Sequence, residues 1–306
     1  MRGYLRLDIG KVYRDERQLK AVIGMSRTEF NVILPVFSKL LLEESKNKDR
    51  QRAVGGGRKG TLLDEMYKLF FILLYIKVYP TFDFAGFIFG VHRTRCCQWS
   101  LRLLPLLEKA LGRSIEMPKR KISSLEEFLK AFPGTKDLFI DGTERRVQRS
   151  KVYKKQAKNY SGKKKAHTRK NIIACDEHGK ILLVSPTKGG KTHDLTCFKK
   201  WCVGDYIPEE VVVWADKGFT GIKKVCNSKN CMIPHKKKKG KELSSEERAD
   251  NKVISGLRIV VEHAIGGIKR LGCMSGVYRN RKGQDDQMLS ISAGIWNLHL
   301  QTRVAS

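Results

Sequence analysis

Long apolar runs are missing from this 306-residue chain. The longest, residues 69–76, lies between Lys68 and Lys77. A membrane-spanning helix needs about 20 apolar residues, so no membrane segment is expected. The opening MRGYLRLDIGKVYRDER is charged throughout and lacks the apolar core of an export signal. Cysteine is sparse, with eight residues and no CxxC pair. Cys96 adjoins Cys97, and four residues separate Cys197 from Cys202 and Cys226 from Cys231. These spacings fit neither a zinc module nor a disulfide scaffold, so reduced and mostly buried thiols are expected. The expected compartment is therefore the cytoplasm, at the nucleoid in a bacterium, or the nucleus in a eukaryote. Acids are also scarce: Asp plus Glu is 31 against 61 Lys plus Arg, a net charge of +30. An excess that large points to a polyanionic partner, because each basic side chain can neutralise a phosphate and release a counterion. With 41% hydrophobic and 8% aromatic residues, the chain can bury cores and is not a disordered basic tail.

Three regions follow from the patterning. Residues 1–60 form an N-terminal helical region and basic linker. Residues 28–42 read as an amphipathic helix interrupted at Pro35, and residues 45–60, rich in Gly, Lys and Arg, as the flexible linker. Residues 61–120 hold an apolar helix over 62–79 that Pro80 stops. Two helices about a tight turn at Gly90 come next, the second over residues 92–104, which is the outline of a helix-turn-helix. Val91, Cys96 and Trp99 are expected to face inward. Arg93, Thr94 and Gln98 are expected to face outward where DNA base edges are read. Residues 121–306 change character. After a short helix near 125–132, DLFIDGTERRV reads as a strand carrying Asp141, 172–175 and 180–186 as a strand hairpin, and 193–201 as a short helix. VVVWADKGF reads as a buried strand ending at Asp216, and residues 246–270 and 285–299 as helices. That order predicts an α/β domain with a mixed sheet.

The acids carry the chemistry. Asp141 follows Leu138-Phe139-Ile140, and Asp216 follows an apolar run ending at Ala215. A carboxylate beside a buried strand is costly unless it is paired or holds a cation. On a continuous helix, Arg258, Glu262 and Lys269 fall within about 40° of one another, along the border of an apolar face. Two divalent cations held by such carboxylates can activate an attacking oxygen and stabilise a leaving one.

FIDGTERRV, WADKGFTG and RIVVEHAIGGIK, in this order, resemble the three acid blocks of the DDE transposases of bacterial insertion sequences. The resemblance is nearest to the IS-five branch and its Harbinger-type relatives. TKGGKTHDLTCF resembles the segment after the third strand, and the likeness spans about residues 20–300. Ser255 stands where that family often has tyrosine. The resemblance implies a ribonuclease H-like catalytic domain behind an all-α helix-turn-helix domain. It implies hydrolysis at transposon ends followed by attack of the freed 3′-hydroxyl on target DNA. Asp141, Asp216 and Glu262 would hold two Mg2+ ions, with Mn2+ as a substitute, and Arg258 and Lys269 would bind phosphates beside the scissile bond. The implied partners are double-stranded DNA, as transposon ends and target, and a second copy of the chain, as a dimer on DNA.

Twelve Lys or Arg against two acids in residues 141–170, with Lys163, Lys164 and Lys165 at their centre, and five Lys in 236–241 are expected to face DNA. His167 is expected at the surface, and Asp194 as the cap of its helix. Rival functions are a domesticated DDE-type endonuclease and a DNA-binding protein without strand transfer. All three acids are present, which argues against a dead catalytic fold.

Overall fold

The computed structural model describes residues 8–46, 60–237, 240–280 and 283–304. Most of the expected basic linker, and Lys238 and Lys239 of the second lysine run, lie outside them. The chain divides into two compact units. One comprises residues up to Met117 together with Lys269–Gly276 and Gln287–Ser306; the other comprises Pro118–Ile268 and Val277–Asp286.

The first unit is helical: α1 (Ile9–Arg14), α2 (Glu16–Ile23), α3 (Arg27–Lys46), α4 (Glu65–Val78), α5 (Phe82–Phe89) and α6 (Arg93–Ser114). Local chemistry sets their ends. Asp8, Asp15, Asp64 and Thr81 each cap a helix by accepting a backbone N–H. Ser26 and Glu29 form a reciprocal capping pair ahead of α3. Helix α3 runs through Pro35 without interruption, and α6 runs past the expected end at residue 104 and through Pro105 to Ser114. Packing overrides the proline in both. Phe30, Ile33, Phe37 and Leu40 are buried on either side of Pro35, and Leu103, Leu104, Leu106 and Leu107 on either side of Pro105. Helix α4 is buried all round from Leu69 to Ile76, which accounts for its lack of a polar face.

Helices α5 and α6 make the expected helix-turn-helix, with Gly90 left-handed at φ 62°. The α5–α6 approach is close. A Cβ on Gly86 would lie 2.6 Å from the Val91 carbonyl oxygen, so only glycine fits there. Cys96 is buried, and Val91 and Trp99 are half-buried. The Trp99 ring meets Phe71 edge-on at 5.2 Å.

The second unit contains α7 (Leu125–Ala131), β1 (Asp137–Arg146), α8 (Tyr153–Asn159), β2 (Tyr160–Ser161), β3 (Ala166–Cys175), β4 (Ile181–Val184), β5 (Lys188–Gly189), α9 (Asp194–Lys199), β6 (Val212–Ala215), β7 (Cys231–Met232), α10 (Ser245–Leu257) and α11 (Ile259–Lys269). The last residue of α11, Lys269, falls in the first unit. The sheet runs β2-β3-β1-β6-β7, with β4 and β5 also pairing with β3. Strand β3 is antiparallel to β1, whereas β1, β6 and β7 are parallel. This is the mixed sheet expected, in a ribonuclease H-like arrangement. Leu138, Ile140, Ile172, Ala174, Val213 and Ala215 pack with Phe128, Phe198 and Phe219 in its core.

Two helices remain, α12 (Gly272–Ser275) and α13 (Asp285–Val304). Sequence patterning assigned both to the catalytic region, yet α12 and α13 from Gln287 onward cluster with the helical unit. The reason is apolar content: Met288, Leu289, Ile291, Ala293 and Leu298 are all buried. Inside that unit His299 pairs with the buried Glu29 at 2.7 Å. The first turn of α13 stays with the sheet unit. There Asp285 bonds Arg145 at 2.9 Å and Arg169 at 2.5 Å, and Arg145 stacks over Tyr278. Among the described residues no helix is long and apolar enough to cross a membrane. All eight cysteines are free; five are buried and Cys202 is exposed.

Pro105 is exposed, so replacing it disturbs no core contact. A proline inside a helix costs about 3 kcal/mol, partly offset by about 0.4–1 kcal/mol of restriction in the unfolded chain. Pro105→Ala should therefore raise stability by about 2 kcal/mol, read as a higher urea midpoint with an unchanged slope.

Candidate active site

Parallel pairing of β1 with β6 builds the centre of the site. The register sets Ile140 opposite Ala215, so the next residues, Asp141 and Asp216, emerge side by side. Asp141 does not end its strand. It lies midway along β1, where pairing with β6 stops and pairing with β3 continues to Arg146. Asp216 directly follows β6 and caps the turn Lys217–Phe219, accepting the Lys217 N–H at 2.6 Å.

Arg258 joins the two acids. Its Nη2 lies 3.2 Å from Asp141 Oδ2 and its Nη1 3.9 Å from Asp216 Oδ1. The expected single helix over 246–270 is in fact two, α10 and α11, with Arg258 at the break. Helical hydrogen bonds nevertheless run across it, from the Arg258 N–H to the Ile254 carbonyl at 3.1 Å and from the Glu262 N–H to the Arg258 carbonyl at 3.4 Å. Arg258 falls on the buried face with Ile254, Val261, Ile265 and Ile268 and not on its border, so the expected stripe of Arg258, Glu262 and Lys269 is split by burial. Arg258 is 6% exposed, Glu262 points to solvent, and Lys269 is half-buried at the end of α11. Burial pushes the Asp141 carboxyl above its ordinary value; Arg258 and the Gly142 N–H oppose this, the neighbouring Asp216 adds to it, and Lys163 opposes it.

Two carboxylates sharing one buried guanidinium form a place where a positive charge is held. Arg258 Nε is buried with no hydrogen-bond partner, so the guanidinium is seated by charge more than by a full set of bonds. Oxygen donors of this kind fit a hard divalent cation. Among the described residues no group of three or more His, Cys, Asp or Glu side chains is found together.

A second layer lies behind these acids. His193, not Asp194, is the cap residue of α9, and Asp194 is the first residue of that helix. The Asp194 carboxylate is wedged between the two acid blocks. A Cβ on Gly142 would lie 2.9 Å from its Oδ1, and one on Gly218 2.8 Å from its Oδ2. The glycines that follow Asp141 and Asp216 thus leave room for one shared carboxylate. Lys170 holds it at 2.8 Å, reaches Glu144 at 3.4 Å and donates to the Thr192 carbonyl at 2.9 Å. Thr168 completes the set by donating to Glu144 at 2.6 Å. Burial alone would lower the Lys170 ammonium, but Asp194 and Glu144 outweigh it and raise it. The available signal was strand alternation: Thr168 and Lys170 share one face of β3, and in a buried strand a lysine there needs acids opposite it.

Of the expected DNA contacts, Arg93, Thr94 and Gln98 are exposed on the first turns of α6. Arg93 lies 3.7 Å from Asp83, a pair open to water. Lys163, Lys164 and Lys165 are exposed in the turn between β2 and β3, and Lys163 is near enough to act on Asp141. Arg258 lies inside the site and not on the surface expected of a phosphate clamp. His167 is half-buried and not exposed, its ring edge-on to Tyr160 at 5.6 Å.

The chain is similar in sequence to known proteins. The family described as DDE superfamily endonuclease matches residues 140–297, and the helix-turn-helix of DDE superfamily endonuclease matches residues 61–113. The "Probable transposase for insertion sequence element IS702" of Microchaete diplosiphon is 31% identical over 285 residues, covering 93% of this chain and 95% of that protein. No solved structure gives a significant match.

Glu144 offers a pH test of the second layer. Burial would raise its carboxyl, but hydrogen bonds from Thr168 and Ser161 and the charge of Lys170 hold it below the usual 4.5. A depressed folded pKa stabilises above the unfolded value, and the gain disappears as pH falls through the folded one. The stability gap between the parent and Glu144→Gln should be full above pH 4.5 and shrink steadily below it. Paired urea titrations across that range would show the closing gap.

Proposed function

Because the chain belongs to the DDE superfamily endonucleases, we propose that it is a DNA transposase. In this reading it cuts phosphodiester bonds at transposon ends and joins the freed 3′-hydroxyl to target DNA. The observation that carries this is the placement of Asp141 and Asp216 on adjoining parallel strands, with one buried cationic group between them. Members of this family generally use divalent metal ions. We assign Mg2+, with Mn2+ able to substitute, to Asp141 and Asp216, and to Glu262 as the third acid. Divalent cations in such a site activate the attacking oxygen and stabilise charge on the leaving one.

The protein's own groups prepare that chemistry. Asp194, fixed by Lys170, keeps the backbones after Asp141 and Asp216 at a set spacing, which preorganises the two carboxylates. Arg258 neutralises them until DNA and cation are in place, so two like charges need not face each other bare. Lys163, Lys164 and Lys165 gather phosphates, a contact that fixes position without reading sequence. Arg93, Thr94 and Gln98 read base edges from the second helix of the helix-turn-helix. Two copies of the chain would hold the two ends of one element, and Lys269 would contact phosphate beside them.

Asp141→Asn, Asp216→Asn and Glu262→Gln should each abolish Mg2+-dependent cleavage of DNA carrying the element's ends while leaving DNA binding within several-fold. Each change removes a cation ligand and leaves the basic surfaces intact. Full cleavage by any one variant would remove that residue from the assignment. Products resolved on a gel separate joined strands from free nicks, and nicks alone would favour an endonuclease without strand transfer.

Recognition makes a separate expectation. Arg93→Ala and Gln98→Ala should each weaken binding to the element's ends by about 1–3 kcal/mol while sparing scrambled DNA. Neutralising Lys163, Lys164 and Lys165 together should weaken binding to every sequence and flatten its salt dependence. Affinity titrations at several salt concentrations distinguish the two patterns.

A further inference from the structure

Helix α8 buries none of its residues, so core packing does not explain its sequence. Tyr153, at its start, is 81% exposed, and Tyr160, just after its end, is 44% exposed. Between them the chain carries Lys154, Lys155 and Lys158. The two tyrosines line one cleft of about 640 Å³ together with Arg149, Gln156, His167 and Lys191. That volume falls in the range of about 300–1,000 Å³ typical of small-ligand sites. The lining has aromatic faces, two cationic groups and, among the described residues, no acid.

Its parts are held in place. Arg149 Nε donates to Gln156 Oε1 at 3.1 Å, which orients the guanidinium across the cleft. The His167 ring braces Tyr160 from one side at 5.6 Å. Such a site matches a flat, uncharged π-system attached to phosphates, which is a nucleotide. A base inside a duplex offers no free face to an aromatic side chain, whereas one that has left the stack does. We propose that the cleft between α8 and the β2–β3 hairpin receives an unpaired base of a DNA strand. Tyr153 and Tyr160 stack on the base, and Arg149 and Lys191 hold the flanking phosphates. The exposed Lys163, Lys164 and Lys165 follow Gly162 of the cleft lining directly in the chain. This inference rests on the nucleic-acid reading above and adds a single-stranded element to it.

The test is an anisotropy titration of the full chain against three DNAs. One is a labelled strand of about twelve nucleotides, within the usual single-strand site sizes. The second has the same backbone with every base replaced by an abasic unit, and the third is a blunt duplex of the same length. The parent should bind the strand at least about tenfold more tightly than the abasic backbone. Tyr153→Ala with Tyr160→Leu should erase that difference and leave abasic and duplex binding within about twofold of the parent, whereas the paired Phe substitutions should keep it. Tyr153→Ala alone, at a side chain that packs on nothing, should lose part of the preference and guards against misfolding of the double variant. Equal parent affinity for strand and abasic backbone would overturn the proposal, as would an equal loss on all three DNAs in the tyrosine variants. Failure of the parent to bind any of the three would overturn the nucleic-acid reading as well.

Discussion

Two like charges placed side by side in a partly buried setting govern the catalytic unit. The parallel pairing of β1 and β6 forces Asp141 and Asp216 together, and their repulsion must be answered from within the fold. Arg258 does this from the break between α10 and α11. The guanidinium reaches inward because Arg258 lies on the buried face it shares with Ile254 and Val261. Behind the pair, Asp194 requires glycine at 142 and 218, and Lys170 requires both Asp194 and Glu144. The charges thus interlock: an inner pair of acids around one arginine, and an outer pair around one lysine.

This arrangement separates stability from chemistry. The outer set is the less exposed, with Lys170 2.8 Å from Asp194 and 3.4 Å from Glu144, and removing one member strands another charge in the core. The inner set is looser. Its longer arginine contact is 3.9 Å, and one guanidinium nitrogen has no hydrogen bond. A cationic group seated in this way can give up its place to another cation at a smaller cost than a fully bonded one.

Sequence patterning made much of this legible. The chain order of the main strands β1, β3, β4 and β6, the two aspartates, the helix-turn-helix and the outward direction of Arg93, Thr94 and Gln98 follow from apolar runs and turn residues, whereas the two-residue strands β2, β5 and β7 leave no such pattern. What stayed hidden depends on tertiary context. Pro35 and Pro105 are local stop signals that packing overrides. The inward placement of Arg258 is not announced locally, because an arginine in an amphipathic helix reads as part of its polar border. Lys170 reads as one more basic residue in a basic stretch, and only the register of β3 against β1 shows that it must be buried opposite Glu144. Asp194 fits a helix start equally well as cap or as first residue, and the two glycines that betray its role lie far away in the chain.

The helical unit is assembled from three separate stretches of chain, residues up to 117, 269–276 and 287–306. A chain cut before residue 287 would therefore keep the sequence of the helix-turn-helix but lose part of the core of its unit. The helix-turn-helix unit cannot be exchanged between relatives as one continuous cassette, because a crossover anywhere between residues 118 and 268 parts it from the stretches 269–276 and 287–306.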